Sequence, residues 1–331
     1  MHDRPLVTYA VFAYRQEALV RAAVEAALAQ TYTPLQIVLS DDHSPDDTFA
    51  VMQTTVAGYT GPHTVVLSRN PRNLGIGAHI NRIMEVAAGE LVVIAAGDDT
   101  SVPERTQVLV DAWLAGGKTA HSLYSGVVRV DENGASLGAR RFTDLARLND
   151  LEDVARHGLG LHGASHAWSR AMFERFGPLM PQVVHEDICL TLRSRLLGPI
   201  VYIDQPLVHW RLAQSTWHDM HGQAADIAEM RRRSAILLRL DHIDAMQAHA
   251  DATRFGDPRV VGWTRTRLIE SLLILQIAEG HPLHARDVLS GVLAGADVGV
   301  VVKSLVKFKS RHLYRMLFER RARRDSQRSR P

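Results

Sequence analysis

Two acidic pairs in this chain stand directly after apolar runs, and a third opens one. Asp41-Asp42 follows Gln36-Ile-Val-Leu-Ser40. Asp98-Asp99 follows Leu91-Val-Val-Ile-Ala-Ala96 and Gly97. Glu186-Asp187 precedes Ile188-Cys-Leu-Thr-Leu192. Carboxylates a few ångströms apart resist joint ionisation unless something positive sits beside them. A hard divalent cation with oxygen ligands, shared with a phosphate, is the simplest neutraliser for Asp98 and Asp99. The alternative is that these two residues cap a helix expected to begin near Pro103-Glu104, since Asp is a good N-cap.

The elements that must position these acids follow from hydrophobic period. Strands are expected over residues 6–12, 36–40, 64–67 and 91–96, separated by helices over 17–29, 48–56 and 77–88. Such alternation predicts βαβ units with right-handed crossovers, hence an α/β fold with a mostly parallel sheet and helices on both faces. Acids that follow strands then share one rim, where open α/β sheets place their ligands. Further on, a helix over 104–115 and a strand over 122–130 are expected, then an irregular polar loop over 138–160. A short strand within 163–168, helices over 170–176 and 188–197 and a strand over 207–211 complete this half. From residue 223 on only helical patterns appear, at 224–240, 260–278, 283–293 and 299–324. The expected organisation is a catalytic domain at 1–220 and a helical region at 221–331.

The chain has 331 residues, 46% of them hydrophobic, enough for a sizeable core. The single cysteine, Cys189, excludes an intramolecular disulfide and a cysteine-based zinc site, which fits a reducing compartment. It reads as packing on a buried helix face. The run from Leu6 to Tyr14 suits a first strand better than a signal peptide, and no uninterrupted apolar window is long enough for a membrane span. Net charge is +2, but residues 303–331 carry 11 Lys/Arg against 2 Asp/Glu, a local +9 against −7 for the rest. Within 300–318 the basic residues interleave with apolar ones, a pattern that suits either an anionic membrane surface or a helix docked on the protein with a solvated basic face. Nothing in the sequence supports a nucleic-acid partner.

The acidic clusters occur in a familiar order. Ala13-Tyr14-Arg15 ends the first strand. Ala26-Ala-Leu-Ala-Gln-Thr-Tyr32 leads to Asp41-Asp42. Asn73-Leu-Gly75, Asn81 and Ala88-Gly89-Glu90 lead to Asp98-Asp99, and Gly163-Ala-Ser165 through Phe173-Glu-Arg-Phe-Gly177 leads to Glu186-Asp187. Over residues 5–215 this series resembles family 2 glycosyltransferases, which have the Rossmann-like GT-A fold. The resemblance implies a nucleotide diphosphate sugar donor and a carbohydrate or lipid-linked glycan acceptor. It implies Tyr14 against the base, Asp41 accepting from the base imide with Asp42 beside it, and Asp98 on the ribose. Asp99 would ligate Mg²⁺ or Mn²⁺ with the diphosphate. Asp187, with Glu186 next to it, would be the general base of an inverting attack. The family's metal motif often has an Asp where this chain has Ala96, and a histidine often found after the last strand has two candidates, His209 and His218.

Each residue also has a plainer role to weigh. Tyr14 could be a half-buried core aromatic. Asp46 or Asp47 suits a turn or N-cap, and Glu186 and Asp187 could cap the helix after them. Gly75-Ile-Gly77 is a weak phosphate-loop signal that fits a turn before a helix. His162, His166 and His185 could touch acceptor or phosphate, or be satisfied histidines. Trp168 and Trp210 suit the core. The expected function is an inverting, metal-dependent glycosyltransferase acting in the cytoplasm or at the inner membrane face, in assembly of a cell-surface polysaccharide or glycolipid. The rival readings are a catalytically idle, membrane-bound carbohydrate-binding or scaffold protein that kept the fold, for which Ala96 argues, and a metal-dependent nucleotidyltransferase.

Overall fold

The computed structural model describes residues 4–142, 144–212, 226–293 and 295–309. The chain divides into two compact units. Residues up to 154 and 158–214 form the first; residues 155–157 and those from 215 on form the second.

The first unit begins with β1 (Val7–Ala13), α1 (Val20–Leu28), β2 (Leu35–Asp41), α2 (Thr48–Val56), β3 (Thr64–Arg69), α3 (Ile76–Val86) and β4 (Leu91–Ala96). β5 (Thr100–Ser101), α4 (Arg105–Ala115), β6 (Ser122–Val130) and β7 (Ser136–Arg140) follow. Then come α5 (Leu145–Leu148), α6 (Leu151–His157), a 3-10 turn (Gly163–Ser165), β8 (Ala167–Ser169), α7 (Arg170–Phe176), α8 (Glu186–Leu197) and β9 (Ile200–Arg211). Among the described residues the strands join in the order β3-β2-β1-β4-β8-β6-β9-β5, with β7 on β6.

β1, β2, β3 and β4 are parallel, as the βαβ pattern requires. Beyond β4 the sheet is mixed. β8 runs antiparallel to β4 and β6, β6 and β9 are parallel, β5 pairs antiparallel with β9, and β7 pairs antiparallel with β6. The expectation of a mostly parallel sheet therefore describes the first half, because β5, β7 and β8 enter the second half antiparallel to their neighbours. Odd residues of the central strands, among them Val11, Ile37, Leu39 and Val93, pack with Val24 of α1, Met52 of α2 and Trp113 of α4. Even residues face α3: Gln36 Nε2 donates to Val86 O at 3.0 Å, and Ser40 Oγ lies 2.7 Å from His79 Nε2. Helices thus cover both faces.

Two sequence expectations need correction here. Residues 138–160 are not an irregular loop, since they hold part of β7 and all of α5 and α6. Asp150 caps α6 by accepting from Asp153 N at 2.9 Å, and Gly158 ends it at φ 60°. The strand expected at 207–211 begins at Ile200 and pairs along β6 with register shifts that disguise its period.

The second unit is helical: α9 (Ile227–Phe255), α10 (Pro258–Glu279), α11 (Ala285–Leu293) and α12 (Val298–Lys309). α9 runs 15 residues past the expected end at 240. Its C-terminal half is rich in polar residues that break the apolar stripe, yet Asp244, Gln247 and Asp251 are buried beside the small residues Ala245, Ala248 and Ala252. Polar partners on α10 meet this half: His242 Nδ1 lies 2.8 Å from Ser271 Oγ, and Arg267 pairs with Asp241 at 3.2 Å. Asp257 caps α10 with Pro258 in its first turn, and Gly256 and Gly280 end α9 and α10 in the left-handed region. Leu273, Ile277 and Val301 form the apolar contact between α10 and α12. Among the described residues no helix is long and apolar enough to cross a membrane. The chain from 310 on, including most of the basic segment, lies outside the described residues.

Candidate active site

The chain leaves β1 for β2 and β3 on one side and returns for β4 on the other. The ends of β1 and β4 therefore flank the topological switch point, where such sheets hold ligands. Three loops meet there and are tied to one another. Gly97 N donates to Phe12 O at 2.9 Å, Asp42 N donates to Ala13 O at 2.9 Å, and Arg15 N donates to Ser44 Oγ at 2.9 Å. Gly97 is required by this close approach: a Cβ there would stand 2.5 Å from Gln16 Oε1 and 2.7 Å from Ala13 Cβ. Arg15 and His43, after β1 and β2, hold the left-handed conformation at φ 58° and 59°, which non-glycine residues adopt uncommonly.

Asp98 and Asp99 stand at the end of β4. Neither caps α4, whose N-cap position is Glu104. Asp99 is 4% exposed, and its Oδ1 accepts from Arg211 N at 2.8 Å. Burial, and then the charge of Asp98, push the Asp99 carboxyl well above the usual range; the Arg211 N–H and the charges of Arg105 and Arg211 oppose this. Burial also raises Asp98, against a hydrogen bond from the Gln16 amide and the charge of Arg211. The Arg211 guanidinium is fixed over this corner, donating to Asp131 O at 2.8 Å and Glu132 O at 2.6 Å, with Asp98 O at 3.4 Å. Two crowded carboxylates held partly desolvated, which Arg105, Arg211 and Gln16 offset only in part, form an oxygen donor set suited to a hard cation. Among the described residues no three His, Cys, Asp or Glu side chains group as a metal site, so ligand phosphate and water would complete the shell. His209 is turned to Thr100, its Nδ1 3.3 Å from Oγ1. His218 lies outside the described residues.

Asp41 and Asp42 are buried and already bonded within the protein. Asp41 accepts from Ser44 N at 3.0 Å and pairs with Arg69 Nε at 3.1 Å. Asp42 accepts from Asn70 Nδ2 at 2.7 Å and from the N–H groups of Leu74 and Gly75, both at 2.9 Å. Both carboxylates therefore set the walls of the rim. Asp41 Oδ1 is bonded as well, accepting from Ser44 N at 3.2 Å, and the Asp41 side chain is fully buried. Tyr14 is 41% exposed beside them, which removes it from the core. Asp46 is the turn residue, accepting from Thr48 N and Thr48 Oγ1 at 3.2 and 2.6 Å. Gly75 opens α3 at φ 80°, and Gly77 N donates to Val183 O at 3.0 Å, so that helix start is covered by chain and holds no phosphate.

Glu186 and Asp187 lie in the first turn of α8, after His185 in the N-cap position. They reach the rim through Gly163. β8 runs antiparallel to β4, Ile94 N donates to His166 O at 3.2 Å, and the 3-10 turn thus lies alongside the carboxyl end of β4. A Cβ on Gly163 would stand 3.2 Å from Glu186 Oε1 and 3.6 Å from Asp187 Oδ2. His166 is fully buried, its Nε2 2.8 Å from Ser122 Oγ, and Trp168 is core. Gln16, Arg69 and Asn70 escaped the sequence; the signal for the last two was that polar residues end β3 on the rim already marked by Asp41.

A family model described as Glycosyl transferase family 2 matches residues 8–173. The succinoglycan biosynthesis protein ExoO of Rhizobium meliloti is 29% identical over 252 residues, 75% of this chain and 68% of that protein. A putative glycosyltransferase, EpsE of Bacillus subtilis, is 29% identical over 42% of this chain, which spans about half (49%) of its length. Residues 1–349 of S. aureus TarS, in complex with UDP, superpose with TM-score 0.54 at 16% identity, covering 94% of this chain and 91% of that one. The mannosyltransferase PcManGT of Pyrobaculum calidifontis, in complex with GDP-Man and Mn²⁺, superposes with TM-score 0.51 at 17% identity, covering 92% and 87%. At such identities these two structures share the fold.

Proposed function

The chain belongs to glycosyl transferase family 2, and from that membership we propose that it moves a sugar from a nucleotide diphosphate sugar to an acceptor hydroxyl with inversion at the anomeric carbon. The observation that carries this is the convergence of Asp98 and Asp99 at the β1–β4 switch point, beside the exposed Tyr14 and the walls set by Asp41 and Asp42. That proteins of this fold form complexes with GDP-Man and with UDP supports a nucleotide-linked donor.

In this reading Tyr14 offers a face to the base, the Asp41 carboxylate lies on the side of its imide, and Asp98 is an acceptor to the ribose. Asp99 would hold Mg²⁺ or Mn²⁺, which when bound neutralises charge on the diphosphate. Asp187, with Glu186 beside it, takes the proton of the acceptor hydroxyl as its oxygen forms the new C–O bond. The bond from the anomeric carbon to phosphate breaks, and its electron pair leaves with the nucleoside diphosphate. A hydroxyl is a poor nucleophile until a positioned base removes its proton. The relationship to a succinoglycan biosynthesis protein supports a product in cell-surface polysaccharide or glycolipid. We place the activity in the cytoplasm, with peripheral attachment at the inner membrane face.

Calorimetric titration of UDP, GDP, dTDP and CDP, with and without Mn²⁺, tests the reading on the wild type and Asp99→Ala. One diphosphate should bind in a metal-dependent manner, with affinity falling by at least tenfold in Asp99→Ala. Failure of all four to bind the folded protein would overturn the proposal.

A further inference from the structure

Asn81, one of the residues in the motif series, lies on the flank of α3. Residues 177–185 join α7 to α8 with no strand or helix between them, yet Leu179 and Val183 are buried. Buried backbone needs partners for its N–H and C=O groups, and here α3 supplies them. Asn81 Nδ2 donates to Leu179 O at 2.8 Å, and Leu179 N donates to Asn81 Oδ1 at 2.8 Å. A side-chain amide carries a donor and an acceptor in one plane, so it pairs both groups of one residue as a strand would. Asp or Leu at this position would pair one or neither. One turn earlier, Gly77 N donates to Val183 O at 3.0 Å. The two backbones pack so closely that a Cβ on Gly77 would stand 2.8 Å from Val183 O and 2.9 Å from Met180 O.

Glu186 and Asp187 follow this segment directly, in the first turn of α8. The start of the segment is fixed as well, since Arg193 of α8 donates to Gly177 O at 2.8 Å and to Pro178 O at 3.2 Å. Val183 N closes the turn between the two moorings by donating to Met180 O at 3.0 Å. The helix that holds the segment also starts on Asp42, which accepts from the N–H groups of Leu74 and Gly75. One helix thus joins the wall set by Asp42 to the segment that delivers the acid pair of α8.

We propose that Asn81 and Gly77 are positioning residues for the reaction: by mooring residues 177–185 to α3 they set where Asp187 meets the acceptor hydroxyl. The proposal rests on the transferase reading above, in which Asp187 is the general base. In that reading neither residue touches donor or acceptor, and both act through Asp187. Their effect falls on proton removal. A base must stand within hydrogen-bond reach of the proton it takes, and a misplacement of about 1 Å can cost on the order of 100-fold in rate. Diphosphate binding is assigned to Tyr14, Asp98 and Asp99 at the ends of β1 and β4, so it should be spared when the mooring is loosened.

The test compares the full chain with Asn81→Ala and Gly77→Ala. The second variant covers misfolding of the first, since alanine favours the helix while its methyl group displaces the carbonyls of Met180 and Val183. Donor binding is read by calorimetry with UDP, GDP, dTDP and CDP in the presence of Mn²⁺. Turnover is read by hydrolysis of UDP-glucose, UDP-N-acetylglucosamine, GDP-mannose, dTDP-glucose and CDP-glucose, with water in place of the acceptor hydroxyl. The water oxygen bonds to the anomeric carbon and its proton passes to Asp187. The bond from that carbon to phosphate breaks, and its electron pair leaves with the nucleoside diphosphate. Per folded molecule, kcat should fall by at least about tenfold in both variants, while Kd for the diphosphate stays within about twofold. A lower melting temperature with kcat unchanged would show a merely structural role and overturn the proposal. Equal losses of binding and turnover would overturn it too, because the whole rim would then have moved. A wild type that binds a diphosphate and cleaves none of the nucleotide sugars removes Asp187 as a positioned base, and the mooring role with it, but leaves the donor site. A wild type that neither binds nor cleaves removes the transferase reading itself.

Discussion

Asp42 holds three donors at once, and two of them are backbone N–H groups of Leu74 and Gly75 that have it as their acceptor. Truncation would leave buried donors unpaired at a cost of about 1–3 kcal/mol. Asp42→Ala should therefore lower urea stability by that amount, and Asp42→Asn, which keeps an acceptor oxygen, by less; equal losses in the two would contradict the pinning role. His166 is the residue whose charge state the fold constrains most clearly. Burial first and Arg105 second hold it down to about 3, against 6.5 in the unfolded chain. The unfolded state therefore binds the extra proton first. Stability tied to the neutral ring is complete above pH 6.5 and declines by up to about 1.4 kcal/mol per unit as pH falls toward 3. Urea melts of wild type and His166→Gln at pH 7, 5 and 4 should show a shallower acid decline in the variant; parallel declines would assign the acid loss to other groups. The types and order of these residues were readable in the sequence. Their partners were not, because Asn70 lies 28 residues from Asp42 and Arg211 lies 112 from Asp99. Only the fold brings such pairs together.

At the level of elements, period-2 and period-3.6 patterns were strong wherever an element buries one apolar face. α2, β6 and α7 have the expected bounds, and the four parallel strands occur as expected. The pattern failed where burial is polar or pairing is irregular. The second half of α9 buries Asp244, Gln247 and Asp251 against α10, and β9 shifts register along β6. In 138–160 the elements are too short to express a period: α5 spans 4 residues and α6 spans 7. Between β1 and β4 the deciding feature is steric, and it is concentrated at Gly97. Gly97→Ala places a methyl group 2.5 Å from Gln16 Oε1. Relief must come by moving Gln16, which donates to Asp98, or by parting the two strand ends. Overpacking of this kind costs typically 1–3 kcal/mol. The expected outcome is a lower melting temperature together with weaker nucleoside diphosphate binding. A variant that melts lower but binds the diphosphate as the wild type does would show that the Gln16–Asp98 contact is dispensable for the donor.

Across the whole molecule, charge and exposed apolar surface are both displaced toward the C-terminal end. α11 turns Gly291 inward, where a Cβ would stand 2.9 Å from Leu273 Cδ1, and this sets its opposite face outward. On that face Leu289, Val292 and Leu293, at i, i+3 and i+4, are 60%, 46% and 80% exposed. Isolated exposed apolar residues are ordinary, but three on one helix face make an apolar patch, and the sequence from 303 on carries a charge of +9. An anionic bilayer matches both properties. Apolar side chains enter the headgroup boundary, and each nearby Lys or Arg adds about 1 kcal/mol that fades within a Debye length. The full chain should then co-sediment with phosphatidylglycerol vesicles and not with pure phosphatidylcholine, and rising NaCl should release it. Burying a leucine is worth roughly 1.5–3 kcal/mol, so the double substitution Leu289→Gln, Leu293→Gln should weaken vesicle binding by at least about tenfold at constant salt. Equal binding to both lipids would remove the electrostatic part. Undiminished binding by the double variant would remove α11 from the contact, and a concentration-dependent dimer abolished by that variant would assign the face to a second copy of the chain instead.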